Sequence, residues 1–483
     1  MTELAYKKIS LKKNAVLNSL RAVLGLIFPL ITFPYSSRVL GPEAIGKVQF
    51  ANSIVTYFSM LAALGIQTYG IREAAKVRTD KLELSKFVRE IFSINITSTI
   101  IAYILLAVAL LFVPKFSSYR FLIIICSSSI LFSTLGIEWL YNALEKFSYI
   151  TIRSLFFQFL SFILLFALVR SREDVIQYAS ISVVASVGSN FLNFIHARKY
   201  IDFHVKIKKE YKKHFKPICI LFLSSIATCI YAVLDTTILG VLTNNTQIGF
   251  YSAGTKINRI VISVLTSSIG ILLPRLSSYI AEHDDNGFRI LTRKAFQLII
   301  MLALPSAIGL SIIAKPVILV LSGSEYEPAI SVMRSINPTI IAISLSSLFG
   351  VQILLPLGKE KITFIAVILG AITNLSLNLI LIPLYGALGA GIATSVAESS
   401  ITLFQFFFIN KYINWKEISP HLIQCLLATT LMGLCVYFFV KLNMNFLIQL
   451  ILAILIGIVI YIAFLLFVRN KFLLEILHKE VQK

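Results

Sequence analysis

Seven ionisable side chains of this chain lie inside long apolar runs. Arg21, Arg153, Lys256, Arg259 and Arg334 are cationic; Asp235 and Glu398 are acidic. A charge held at bilayer depth is unfavourable unless it faces water or a partner, so each is a functional candidate. Lys256 and Arg259 are three residues apart and share a helical face. Arg21 follows Lys13 by about 12 Å of helix at ~1.5 Å per residue, too deep to reach the interface with ease. Structural ion pairs would give parity. Five cations against two acids instead describe a cavity that attracts an anionic headgroup, and arginine suits phosphate oxygens. Alternatives stay open for some of these residues. Arg153 can snorkel to a membrane face, and Asp235 can pair with Lys256 at similar depth on the next span. Asp235 and Glu398 are the candidates for ion coupling.

The elements that position these groups are transmembrane helices. The chain is 57% hydrophobic and 14% charged, against ~45–50% and ~25% for soluble domains, so it reads as an all-α integral membrane protein. Residues 446–468 contain neither charge nor proline, which meets the ~20-residue requirement for crossing a bilayer. The pattern predicts about fourteen spans, including 13–37, 44–66, 216–240 and 328–355. The span at 328–355 is the least regular, with Pro316, Gly323, Pro328 and Pro338 in and before it.

Lys and Arg concentrate in alternate loops, which places both termini on the cytoplasmic side. The net charge of +21 therefore reflects topology, and no nucleic-acid partner is expected. Residues 67–87 are expected to form an amphipathic surface helix with a basic face, and 198–216 a solvated basic linker. Three local echoes recur in the same order at similar offsets: Gly46 with Gly249, Glu145-Lys146 with Glu360-Lys361, and Lys199-Tyr200-Ile201 with Lys411-Tyr412-Ile413. They predict an N-terminal lobe at 1–200, a linker at 201–216, a C-terminal lobe at 217–413, and two further spans with a tail at 414–483. Such repeats are a transporter signature.

Pro29 and Pro34 interrupt the first span and are expected to bend it, a bend suited to gating. The five cysteines fall in apolar runs and read as buried small hydrophobes. The N-terminal run is too long for a cleaved leader, so it is expected to remain as the first span. No Walker motif, HExxH or metal-spaced His/Cys cluster occurs, so neither cofactor nor metal is expected.

Three stretches carry a family resemblance: PLITFPYSSRVLGPEAIG (29–46), LGIQTYGIREAAKVR (64–78), and LDTTILGVLTNNTQIGFYSAGTKINRI (234–260) running on to LLPRLS (272–277). They resemble the Wzx-type polysaccharide flippases of the multidrug/oligosaccharidyl-lipid/polysaccharide exporter superfamily. The resemblance implies a V-shaped, two-lobe bundle working by alternating access in the bacterial inner membrane. It implies a substrate of undecaprenyl pyrophosphate carrying an oligosaccharide repeat unit for capsule, O-antigen or exopolysaccharide. It also implies a non-enzymatic role beside a polymerase and chain-length or export machinery. Asp235 and Lys256 stand where such proteins commonly have an acid and a base. The rivals are a lipid II flippase and a multidrug or cation antiporter, whose cavity should favour acids. A membrane polymerase or ligase would present a large outer loop, which the sequence lacks.

Overall fold

The computed structural model describes residues 11–205, 211–412, 415–442 and 444–481, with the side chains of 11–23 and a few later positions outside that description. Among the described residues the chain is helical throughout, and twelve helices are long and apolar enough to cross a membrane. The first of these, Ile27–Val77, holds the two opening spans in one stretch, and Tyr231–Leu242 forms a shorter apolar helix. The chain is a multi-pass membrane protein. It divides into two compact units, 1–241 and 242–483.

The first unit begins with α1 (Leu11–Ala63), which leaves helical geometry at Gly41, with φ 76° and ψ 173°. The break expected at Pro29 and Pro34 lies here instead. Proline's fixed φ suits a helix and each removes one N–H, whereas an L side chain at Gly41 would be strained. Hydroxyls of Thr32, Ser36 and Ser37 bond the carbonyls of Phe28, Phe33 and Pro34 along the proline-containing turns.

The unit continues through α2 (Ile66–Val77), α3 (Lys81–Phe112), α4 (Arg120–Gly136), α5 (Glu138–Ala143) and α6 (Phe147–Leu168). Then follow α7 (Val175–Val183), a π-helical turn at Val184–Gly188, α8 (Asn190–Ala197) and α9 (Lys212–Leu242). The helix expected over 67–87 is two helices. Asp80 accepts from the amides of Leu82 and Glu83 and starts α3, so α2 ends at Val77. One face of α2, with Ile66, Tyr69 and Ala74, is buried against Trp139 and Leu140 of α5 and Leu84 and Val88 of α3. α9 runs along α1, with the Tyr57 hydroxyl 3.2 Å from Thr237 Oγ1. The helix that the sequence placed in the second lobe thus packs in the first unit.

The second unit comprises α10 (Asn245–Gly270), α11 (Leu273–Ala281), α12 (Asp285–Ile312), α13 (Ala314–Leu321), α14 (Ala329–Ile336) and α15 (Pro338–Ser347). A π-helical segment (Leu348–Leu354) leads to α16 (Glu360–Tyr385), α17 (Ala387–Ile409), α18 (Trp415–Val440), α19 (Phe446–Phe467) and α20 (Lys471–Val481). Asn244, Asp284 and Asn445 cap α10, α12 and α19. The last three helices dock through polar contacts. Tyr461 bonds the Met301 carbonyl, His421 contacts the Gln297 carbonyl, and Lys294 pairs with Glu475.

Candidate functional site: a cationic face and a broken span

α10 has two unlike faces. Its packed face carries Tyr251, Gly254, Thr255, Asn258, Leu265 and Ile269. Gly254 permits the approach of α14, because a Cβ there would lie 2.9 Å from Val332 Cβ and 3.1 Å from the Met333 amide nitrogen. The other face carries Lys256, half-buried, and Arg259, exposed, followed by Ser263, Thr266 and Ser267. The hydroxyls of Thr266 and Ser267 bond backbone carbonyls of their own helix. An accessible row of two cations and three hydroxyls on an otherwise apolar span fits water or a polar ligand, not lipid.

Opposite the packed face of α10, the tenth span is discontinuous. α14 ends at Ile336 and α15 starts at Pro338, which has no N–H to donate back into the preceding turn. The carbonyls freed there are taken up by neighbours: Ser395 Oγ of α17 bonds Ser335 O, and Asn258 Nδ2 bonds Ile336 O at 3.1 Å. Thr339 Oγ1 lies 3.2 Å from Asn258 Nδ2 and bonds Ile336 O at 2.6 Å. One heptad along, Thr402 Oγ1 of α17 bonds Ala342 O at 2.8 Å. The two α17 contacts share one offset (395 − 335 = 402 − 342 = 60), so α17 and the broken span run parallel in fixed register. Glu398 lies between Ser395 and Thr402 on that face and is buried. Register sets it level with the Asn337–Pro338 break. Asn337 is fully buried; its Nδ2 bonds Ser311 Oγ, and its Oδ1 has no hydrogen-bond partner among the described residues. Arg334, one turn before the break, is exposed and donates from Nε to the Ser311 carbonyl of α12 at 3.2 Å.

The first unit treats its charges differently. Arg153 is buried at 5% exposure, donates to Asn190 Oδ1 at 3.3 Å, and lies 5.8 Å over the Tyr149 ring. This is neither an accessible ligand position nor a snorkelled one, because the guanidinium is enclosed by α6 and α8. Asp235 on α9 is buried as well. Arg21 lies in α1, and its side chain is outside the described residues.

A family profile described as "Polysaccharide biosynthesis protein" matches residues 11–280, more than half of the chain. The chain belongs to that family. Among similar proteins, one from Escherichia coli (strain K12) named as an O-antigen transporter is 23% identical over 418 residues, covering 83% of this chain and 97% of the relative. A protein of the same name from Shigella dysenteriae is 27% identical over 402 residues, covering 82% and 98%. The lipid II flippase MurJ, solved in an inward closed conformation, superposes with a TM-score of 0.75 at 18% identity over 94% of this chain and 99% of its own. An inward-facing MATE-family transporter gives 0.62 at 12% identity over 84% and 98%. This family member therefore has the fold shared by the flippases and multidrug transporters of one superfamily.

Within this polysaccharide-family chain, the structure brings together Lys256 and Arg259, as their spacing predicts. It sets Glu398 beside the broken span and keeps Arg153 apart. It also adds a cluster that sequence reasoning missed. Tyr69 OH lies 2.7 Å from His214 Nδ1, and His214 Nε2 lies 2.9 Å from Glu90 Oε2, with all three side chains buried. Lys213 Nζ reaches the same oxygen at 3.1 Å. With Glu90 ionised, Nε2–H donates to it and Nδ1 accepts from Tyr69. The segment expected to be a solvated linker is thus tied down at its far end, while 206–210 lie outside the described residues. The one hint in the sequence was a histidine and a lysine facing a carboxylate two spans earlier, which no local periodicity reveals.

Proposed function

We propose that the protein carries undecaprenyl-pyrophosphate-linked oligosaccharide repeat units from the inner to the outer leaflet of the bacterial plasma membrane, for surface polysaccharide synthesis. The observation that carries this reading is the accessible cationic face of α10, with Lys256 and Arg259 standing above Ser263, Thr266 and Ser267. Family membership and near full-length similarity to two proteins named as O-antigen transporters support it. Two fixed cations side by side suit a pyrophosphate, and hydroxyls suit the first sugar.

Lys256 and Arg259 hold the pyrophosphate, Arg21 and Arg334 extend the positive field, and the polyprenyl tail stays in lipid. Arg153, enclosed within its unit, supports α6 and α8 and does not bind cargo. Two six-span lobes, at 1–200 and 217–413, alternate in access, with both termini cytoplasmic. Pro29 and Pro34 give the first span its compliance. Asp235 and Glu398 couple the cycle to an ion. The role is transport without chemistry, so no cofactor takes part; a polymerase and chain-length machinery act on the delivered unit. The MurJ of Bacillus subtilis matches only 38% of this chain, at 24% identity, so lipid II ranks behind a repeat unit as cargo.

The test is complementation of a strain lacking this gene. Wild-type protein restores surface polysaccharide and clears lipid-linked repeat units from inside the cell. The Lys256→Ala/Arg259→Ala double variant, present at normal level, is expected to restore less than about a tenth of export, since two charge-assisted contacts are lost. Full export by that variant would remove the phosphate-holding role. Rescue of a lipid II transport defect instead would reassign the cargo.

A further inference from the structure

We infer that the break at Asn337–Pro338 is a binding site for a small monovalent cation, sodium in competition with a proton, with Glu398 as its charged ligand. Four observations converge on it. The span is discontinuous inside an apolar stretch, and irregular backbone at such depth persists where it is buried in protein or lines a site. The polar atoms that close around the break come from α10, α12, α15 and α17, through Asn258, Ser311, Thr339 and Ser395. Asn337 Oδ1 is fully buried and lacks a donor among the described residues, which marks an acceptor waiting for a positively polarised partner. The heptad register of Ser395 and Thr402 sets the Glu398 carboxyl level with that oxygen.

The donor set is oxygen throughout: a carboxylate, an amide oxygen, a hydroxyl and backbone carbonyls. Hard cations take such ligands, and thiolate- or imidazole-seeking metals do not. A single carboxylate matches a single positive charge. The same carboxylate accepts a proton, so the two ions exclude each other there.

The charged and titratable groups on the elements packed against α17 are few. α10 contributes Tyr251, Lys256 and Arg259, and α14 contributes Arg334. α16 carries Glu360 and Lys361 at its start and Tyr385 at its end, and Lys411 and Tyr412 follow α17; α15 and the π-helical segment carry none. On α10 the residue facing the break is Asn258, and Lys256 and Arg259 lie on the other face. The inference deepens the ion-coupling part of the proposed function and rests on that reading only for its consequence. Cation binding is measured without any cargo, so it fails separately from export.

The experiment uses the purified full-length protein in detergent, titrated with sodium chloride against choline chloride at constant ionic strength, with melting temperature as the readout. Binding to the folded state raises the melting temperature with the logarithm of sodium once the dissociation constant is passed. The half-saturating sodium concentration is expected to rise about tenfold per pH unit once the carboxyl begins to protonate. Glu398→Gln is expected to abolish the Glu398-dependent response. Asn337→Ala, which keeps the carboxylate, is expected to raise the half-saturating concentration about tenfold. If Glu398→Gln does not fold, Asn337→Ala and the pH series decide the matter. A sodium response that is absent, independent of pH, or unaltered in both variants would overturn the inference.

Discussion

Arg153 in the first unit and Arg259 in the second are both arginines within apolar helices, yet their surroundings are opposite. Arg153 is enclosed, bonded to Asn190 and stacked near Tyr149, whereas Arg259 is exposed on a face that continues as serine and threonine. A charge inside a span therefore does not announce its role by depth alone. What separates the two is the company along the helix: an amide and an aromatic ring close around one, and a row of hydroxyls leads away from the other. The first arrangement stabilises the unit; the second leaves donors available for a ligand.

The comparison breaks most sharply under charge reversal. Arg259→Glu is expected to abolish export while leaving the amount of folded protein near wild type, as measured by surface polysaccharide and by membrane abundance. Arg153→Ala is expected to do the reverse. It removes a buried charged donor and leaves a void, lowering stability by about 2 kcal/mol or more, while export per folded molecule is retained. Equal effects of the two variants on both readouts would erase the distinction.

A smaller loss is expected from His214→Ala. Tyr69 and Glu90 each lose a buried partner, about 1–3 kcal/mol together, with Lys213 still holding Glu90. Thermal unfolding in detergent checks it, and an unchanged melting temperature would mean that the cluster is slack. The smallest effect is expected at Asp174, which lies outside the spans. The amides of Arg170 and Ser171 and the Ser171 hydroxyl hold its carboxyl below the ordinary value of 3.8. A depressed carboxyl stabilises above its unfolded pKa, and that contribution disappears as pH falls through the folded pKa. The melting-temperature difference between wild type and Asp174→Ala should therefore be slight at neutral pH and close on acidification.

Much of the fold was legible because lipid imposes its own code. Apolar runs give helices, and the alternation of basic loops orders them. The family resemblance is likewise carried by the conspicuous stretches 29–46, 64–78 and 234–260, and the matched region 11–280 contains all three. Less legible were details set by backbone geometry or distant pairing. Proline looked like the natural place for a bend, yet Gly41 supplies the positive φ that the break needs. Lys256 and Arg259 were readable from spacing, because i and i+3 share a face wherever the helix lies. Arg153 was not, since its partner Asn190 lies 37 residues away on another helix. Asn337 carried no signal at all until the register of α17 showed what stands level with it.

The Tyr69–His214–Glu90 cluster has a consequence for how the chain is made. Its members are separated by 145 and 124 residues, and a ribosome delivers them in that order. Until His214 leaves the exit tunnel, Tyr69 and Glu90 have no imidazole between them, and the base of the first unit stays hydrated. Closure of the early helices thus waits on the arrival of the basic segment, so that a nascent chain halted before residue 214 is an open intermediate, not a finished half.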